Sequence, residues 1–218
     1  MTDLLLTIGD KELSSWSFRP WFAMTQVGVP FTEETIRLDR PETRGILKEK
    51  SPSGTVPFLT LKKEGRVLKI WDSLAILETV AELYPENRLW PEDPAARAVA
   101  RSVSAEMHSS FSALRTVWPM MFTREGLRHT TSGGVARDIA RIDALWTQCR
   151  ETYGGGGDFL FGAFSIADAM YAPVVSRFLT YGPVDVSAPS KAYMKTVTAT
   201  LAWKKWLDGA HAEIGAGK

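Results

Sequence analysis

The sequence predicts an α/β domain followed by an all-helical domain. Three observations carry that expectation. Strand-like and helix-like segments alternate up to Tyr84, prolines crowd together directly afterwards, and no convincing strand pattern follows Ala95. Residues 1–84 are thus assigned to the first domain, 85–94 to a linker and 95–218 to the second.

The elements follow in chain order. Leu4–Ile8 reads as a buried strand ended by Gly9-Asp10. Trp21, Phe22, Met24 and Val27 recur at helical spacing in Arg19–Gly28, which Pro30 closes. Phe31–Leu38 is strand-like again. Pro57–Leu61 and Val67–Ile70, joined by polar Lys62–Arg66, read as a hairpin. Asp72-Ser73 then opens a helix whose apolar face is Leu74, Leu77, Val80, Ala81 and Tyr84. Such an order builds one mixed sheet with helices packed on it. Pro85, Pro91 and Pro94 mark the linker, because proline blocks helix continuation. Beyond it, Ala95–Leu114, Val135–Thr152, Ile166–Tyr181 and Ser190–Ala210 read as helices, with Gly154–Gly157 as a joint before the third.

Composition excludes several classes of function. A 218-residue chain that is 44% hydrophobic and 23% charged can bury a sizeable core. A net charge of +1 offers no basic field for nucleic acid or anionic lipid. Cys149 is the only cysteine, so no disulfide can close within the chain, which suits a reducing cytosol. The apolar run Leu4–Leu6 is too short for a signal peptide, and no stretch of about 18 apolar residues occurs, so a cytoplasmic protein is expected. His108, His129 and His211 lie far apart with no paired spacing, and no metal is expected.

Three short motifs carry candidate chemistry. Ser14-Ser15-Trp16-Ser17 lies between the first strand and first helix, with Ser17 suited to the N-cap and Pro20 to the first turn. A hydroxyl there can donate to an anion beside the positive end of the helix dipole. A hydrogen bond to a charged group contributes about 1.5–3 kcal/mol, enough to lower a thiol pKa by about one unit or more. Thr55-Val56-Pro57 enters a strand. A trans Val56–Pro57 bond is the ordinary expectation, whereas a cis bond would turn the Val56 N–H and C=O outward to pair with a peptide ligand. Asp72-Ser73-Leu74-Ala75-Ile76 sets a carboxylate and a hydroxyl at a helix N-terminus, a fit for the amine and carboxylate of an amino acid. Plain helix capping explains each serine or aspartate equally well when taken singly.

Order and spacing together are more specific than any single motif. The chain resembles the glutathione transferase superfamily over nearly its whole length, which implies a thioredoxin-like first domain and an all-helical second one. Ser165-Ile166-Ala167-Asp168 resembles the family's S/T-x-A-D capping box, implying a structural role for Asp168. Ser14-Ser15-Trp16-Ser17-Phe18-Arg19 is similar to the S-S-C-S-W-R loop of the zeta-type enzymes, which include maleylacetoacetate isomerases. The chain departs from that loop at Trp16, where cysteine is usual, and this changes the space beside the sulfur.

The resemblance implies a serine-type enzyme that uses glutathione. Ser14 would take the essential hydroxyl role with Ser15 its neighbour, although adjacency leaves open which of the two faces the sulfur. Val56 would pair with the tripeptide backbone, and Asp72 with Ser73 would hold the γ-glutamyl end. No tyrosine precedes Tyr84, and Cys149 lies deep in the helical part as a small buried hydrophobe, so the tyrosine and cysteine types do not fit. Trp16, Trp118, Met121, Arg177 and Tyr181 are candidates for the electrophile site. Arg177 stands out as a cation on the otherwise apolar Ala172–Leu179 segment, where it wants an acidic partner or ligand. Three functions remain in view: transfer of glutathione thiolate to a small electrophile, glutathione-dependent cis–trans isomerisation of an acidic diketo compound, and a non-catalytic binding module. A two-fold homodimer is also implied.

Overall fold

The computed structural model describes residues 3–127, 129 and 131–216. Its first domain is built on strands β1 (Asp3–Gly9), β2 (Thr32–Ile36), β3 (Phe58–Lys63) and β4 (Arg66–Trp71). They form one mixed sheet in the order β2-β1-β3-β4, with β1 parallel to β2 and antiparallel to β3. Leu6 of β1 pairs with Leu59 of β3, and Leu4, Leu6 and Ile8 are buried. Helices α1 (Ser15–Gln26) and α3 (Ser73–Leu83) pack on the sheet, as the sequence pattern requires.

Two features of this domain differ from expectation. Helix α1 begins at Ser15, two residues before the expected N-cap, because the Ser14 carbonyl already accepts the Phe18 N–H at 3.1 Å. Pro20 then lies inside the helix rather than in its first turn, where its ring removes one bond of the ladder. Ser17 serves the strand–helix junction instead: its Oγ accepts the Gly9 N–H at 3.0 Å. A short helix α2 (Thr43–Lys50) also intervenes before β3. Its segment holds only Ile46 and Leu47 as apolar positions, too few to reveal a period, and Leu47 is its buried apolar anchor.

A 3-10 turn at Pro85–Asn87 leads into α4 (Pro94–Ser109), capped by Asp93 Oδ2 accepting the Ala96 N–H at 2.7 Å. The expected single helix over Ala95–Leu114 breaks at Phe111, whose φ of 59° is left-handed, and continues as α5 (Ser112–Val117). Helices α6 (Gly133–Tyr153) and α7 (Ile166–Thr180) match their patterns. The last expected helix is again two, α8 (Ala188–Ala199) and α9 (Leu201–Ala216), because Thr200 leaves the helical region and its Oγ1 accepts the Trp203 N–H at 3.2 Å.

Most of the tryptophans serve the core. Phe18 of α1 lies 4.9 Å from Trp206 and 5.7 Å from Trp203, both on α9. Buried aromatics of this kind contribute about 1.5–3 kcal/mol each. They fix α1 between the sheet and the helical domain, where α7 also packs against it. The loop before α1 is held from the same side. Trp206 Nε1 donates to the Lys11 carbonyl at 2.9 Å, and the Lys11 ammonium pairs with Glu33 and Glu213.

Candidate functional site

The N-terminus of α1 separates the two adjacent serines. Ser14 is 6% exposed, and its hydroxyl donates inward to Ser17 Oγ at 2.7 Å. Ser15, the first helical residue, is half-buried and its Oγ accepts from Arg177 Nη2 at 3.3 Å. The Ser14 proton is therefore committed to the interior. The Ser15 proton remains available to a group in the cleft.

Two cavities meet at Trp16. One, of about 410 Å³, is lined by Trp16, Val56, Pro57, Asp72, Ser73 and His108. The Val56–Pro57 bond is cis, and among the described residues no intramolecular partner takes the Val56 N–H or C=O. Asp72 caps α3: its Oδ1 accepts the Leu74 N–H at 2.8 Å, and its Oδ2 lies 2.6 Å from His108 Nε2. Burial pushes this carboxyl up, but the His108 hydrogen bond and the Leu74 N–H outweigh it and hold the group below its ordinary range. Ser73 is buried, and its Oγ has no partner within the fold. The sequence motifs at Val56, Asp72 and Ser73 thus converge on one concave surface.

The second cavity, of about 350 Å³, is lined by Ser15, Trp16, Arg115, Thr116, Met120 and Arg177 among others. Here two guanidinium groups, of Arg115 and Arg177, line the wall, and a third, of buried Arg19, lies against the Trp16 ring. Arg19 stacks 3.9 Å from the Trp16 ring centre and Arg115 stands 4.7 Å from it. Arg177 Nε donates to the Trp118 carbonyl at 2.8 Å. Among the described residues none of the three forms an ion pair with a carboxylate. Burial lowers the Arg177 pKa to about 10, with Arg115 contributing further. Burial also pulls Arg19 well below its usual value, with Arg177 and Arg115 adding to the effect. A cluster of positive charge with no carboxylate in ion-pair contact favours an anion.

The chain matches the family model "Glutathione S-transferase, N-terminal domain" over residues 13–83 and "Glutathione S-transferase, C-terminal domain" over residues 132–209. It belongs to the glutathione S-transferase superfamily. A probable maleylacetoacetate isomerase from Caenorhabditis elegans is 29% identical over 73% of this chain and 74% of that protein. Glutathione transferase Omega 2S from Trametes versicolor, solved with 2,4-dihydroxybenzophenone, has a TM-score of 0.72 at 21% identity, covering 100% of this chain and 98% of that one. A glutathione transferase homologue from Burkholderia with bound glutathione has a TM-score of 0.67 at 19% identity, covering 96% and 98%. These neighbours share the two-domain transferase fold.

The remaining residues of this superfamily member that sequence singled out are dispersed. Trp118 and Tyr181 stack at 5.3 Å and line a different cavity, of about 1070 Å³, between α6 and residues 181–187. Met121 lines neither cavity at Trp16; its neighbour Met120 does. Asp168 sits at the start of α7, with Oδ2 accepting the Ser165 N–H at 2.8 Å and Oδ1 the Leu160 N–H at 3.1 Å. Burial pushes the Cys149 thiol up to about 12, so it remains a protonated hydrophobe. Sequence reasoning missed Arg115 and His108 as site residues. Arg115 carries the signal used for Arg177, a cation between apolar neighbours Leu114 and Val117. Nothing in the sequence shows that His108 reaches Asp72 across 36 residues.

Proposed function

We propose that the protein binds glutathione in the cavity of Val56, Asp72 and Ser73, activates its thiol with the Ser15 hydroxyl, and delivers the thiolate to a small acidic electrophile. The convergence of Arg19, Arg115 and Arg177 on the Trp16–Ser15 corner carries this reading. In the proposed complex, Asp72 receives the γ-glutamyl ammonium while the Ser73 hydroxyl and the first N–H groups of α3 receive its carboxylate. The Val56 N–H and C=O pair with the cysteinyl backbone. Ser15 donates to the sulfur, and Arg177, by donating to Ser15 Oγ, makes that hydroxyl a stronger donor. The thiolate then attacks the electrophilic carbon, with its leaving group or developing anion in the arginine field.

Isomerisation of an acidic cis-enone is favoured by the same observation, because a substrate with two carboxylates needs more than one cation and Arg115 joins Arg177. There the thiolate adds, the bond rotates, and the thiolate leaves, so glutathione is not consumed. The proposed protein works as a cytoplasmic homodimer. Exposed Val67 and Trp71, on one face of edge strand β4, give apolar surface for a second copy to cover.

The test compares an acidic electrophile such as maleylacetone with a neutral enone of similar size, in wild type and Arg115→Met. Loss of one charge-assisted contact of about 1.5–3 kcal/mol predicts a fall in kcat/KM of about 10- to 100-fold for the acid and little change for the neutral compound. An equal fall for both would show that the arginine field does not read the substrate's charge.

A further inference from the structure

His108 belongs to the helical domain, yet its ring occupies the glutathione side of the cleft. It ends α4, meets the Trp16 ring edge-on at 5.3 Å, and places Nε2 2.6 Å from Asp72 Oδ2. Asp72 Oδ1 is taken by the N–H groups that open α3, at 2.8 and 3.3 Å. Oδ2 is therefore the oxygen left for a ligand, and His108 already touches it. Among the described residues, Asp72 is the only carboxylate lining this cavity.

From this geometry we infer that His108 is a positioning residue whose proton sets how strongly Asp72 attracts the ammonium of a γ-glutamyl ligand. This inference rests on the glutathione reading above. With neutral His108, the Nε2–H holds Oδ2 in place, and the carboxylate keeps its full negative charge and a free lone pair for the ammonium. With protonated His108, imidazolium and carboxylate form a neutral pair, and the incoming ammonium meets a like charge beside its own acceptor. By linkage, the ligand then binds best to the unprotonated form, so affinity is high at the alkaline end and falls as the ring gains its proton.

The other groups around the ring hold their charge. Arg115 on α5 donates to the His108 carbonyl at 3.4 Å, and Arg19 lies on the Trp16 ring; arginines stay charged across this range. Glu106 on α4 is engaged by Arg141 of α6 at 2.7 and 2.9 Å. The Asp72 carboxyl itself remains ionised because it lies below its ordinary range. Among the described residues lining this cavity, His108 is the one imidazole.

S-methylglutathione is the probe, because it keeps the γ-glutamyl end and has no thiol to titrate. Its dissociation constant is measured by calorimetry between about pH 5.5 and 8, the interval in which imidazole changes charge, for wild type and His108→Gln. Glutamine retains an N–H donor near the Nε2 position but does not titrate. Thermal unfolding at each pH checks that both proteins are folded. The expected result is an affinity ratio across the interval of about tenfold for wild type, the scale of one charge-assisted contact, and close to one for the variant. A flat wild-type profile, or equal slopes in both proteins, would overturn the role of His108 while leaving glutathione binding intact. Failure of S-methylglutathione to bind at any pH would overturn the glutathione reading itself, and this inference with it.

Discussion

Asp168→Ala tests whether the residue at the start of α7 is structural, and the structure sets both the size and the pH dependence of its effect. The carboxylate is fully buried and accepts the Ser165 N–H at 2.8 Å, the Ser165 hydroxyl at 3.1 Å and the Leu160 N–H at 3.1 Å. Loss of such a cap costs about 0.5–2 kcal/mol. Burial raises its pKa to about 6, against about 3.9 for an unfolded aspartate. Because the folded value is the higher one, the folded chain holds the proton in this interval. The stability it contributes is complete below about pH 4 and is lost as pH climbs through about 6. Integrated from about pH 5 to about pH 7.5, the loss is on the order of 1 kcal/mol. The variant lacks this term, so its destabilisation relative to wild type is expected to be larger at pH 5 than at pH 7.5 by about that amount. Denaturant titrations of both proteins at the two pH values measure the difference directly. A destabilisation that is the same at both would refute the account of a raised, buried carboxyl. Loss of turnover with unchanged stability would make Asp168 a chemical residue.

Two further outcomes follow from buried side chains. Cys149, with its thiol pushed up to about 12, is expected to react with a disulfide reagent at least about 100-fold more slowly in the folded protein than in denaturant, and comparable rates would place it at the surface. Ser73→Ala is expected to weaken glutathione binding about 10- to 100-fold through loss of a charge-assisted donor. Its thermal stability is expected to hold, because the Ser73 hydroxyl has no partner within the fold to lose; unchanged glutathione affinity would remove Ser73 from the site.

The fold was legible where local rules act alone. Leu4–Ile8, the hairpin around Lys62–Arg66 and the helices opening at Ser73 and Ile166 all follow from period, punctuation and caps. Errors fell where tertiary contacts override those rules. Ser17 resembles an N-cap, but its hydroxyl is drawn to the Gly9 N–H, and Pro20 is accepted inside α1 because aromatic packing on Phe18 and Trp21 holds that helix. The breaks at Phe111 and Thr200 depend on backbone angles that no apolar period encodes. The meeting of Val56, Asp72 and Ser73 in one cavity was readable because they sit in compact motifs. The arginine side joins residues 19, 115 and 177 from three helices, and one sequence does not show such convergence.

The central claim is that Ser15, oriented by Arg177, activates the thiol. Ultraviolet absorbance of the thiolate of bound glutathione against pH measures this directly in wild type, Ser14→Ala and Ser15→Ala. A donated hydrogen bond of about 1.5–3 kcal/mol predicts a thiol pKa about one to two units below that of a free thiol in wild type. Ser15→Ala is expected to return it close to the free value and to slow turnover at neutral pH. Ser14→Ala, whose hydroxyl points to Ser17, is expected to shift it by far less. A pKa that rises in Ser14→Ala and stays low in Ser15→Ala would contradict the assignment, and one that moves in neither would contradict hydroxyl activation altogether.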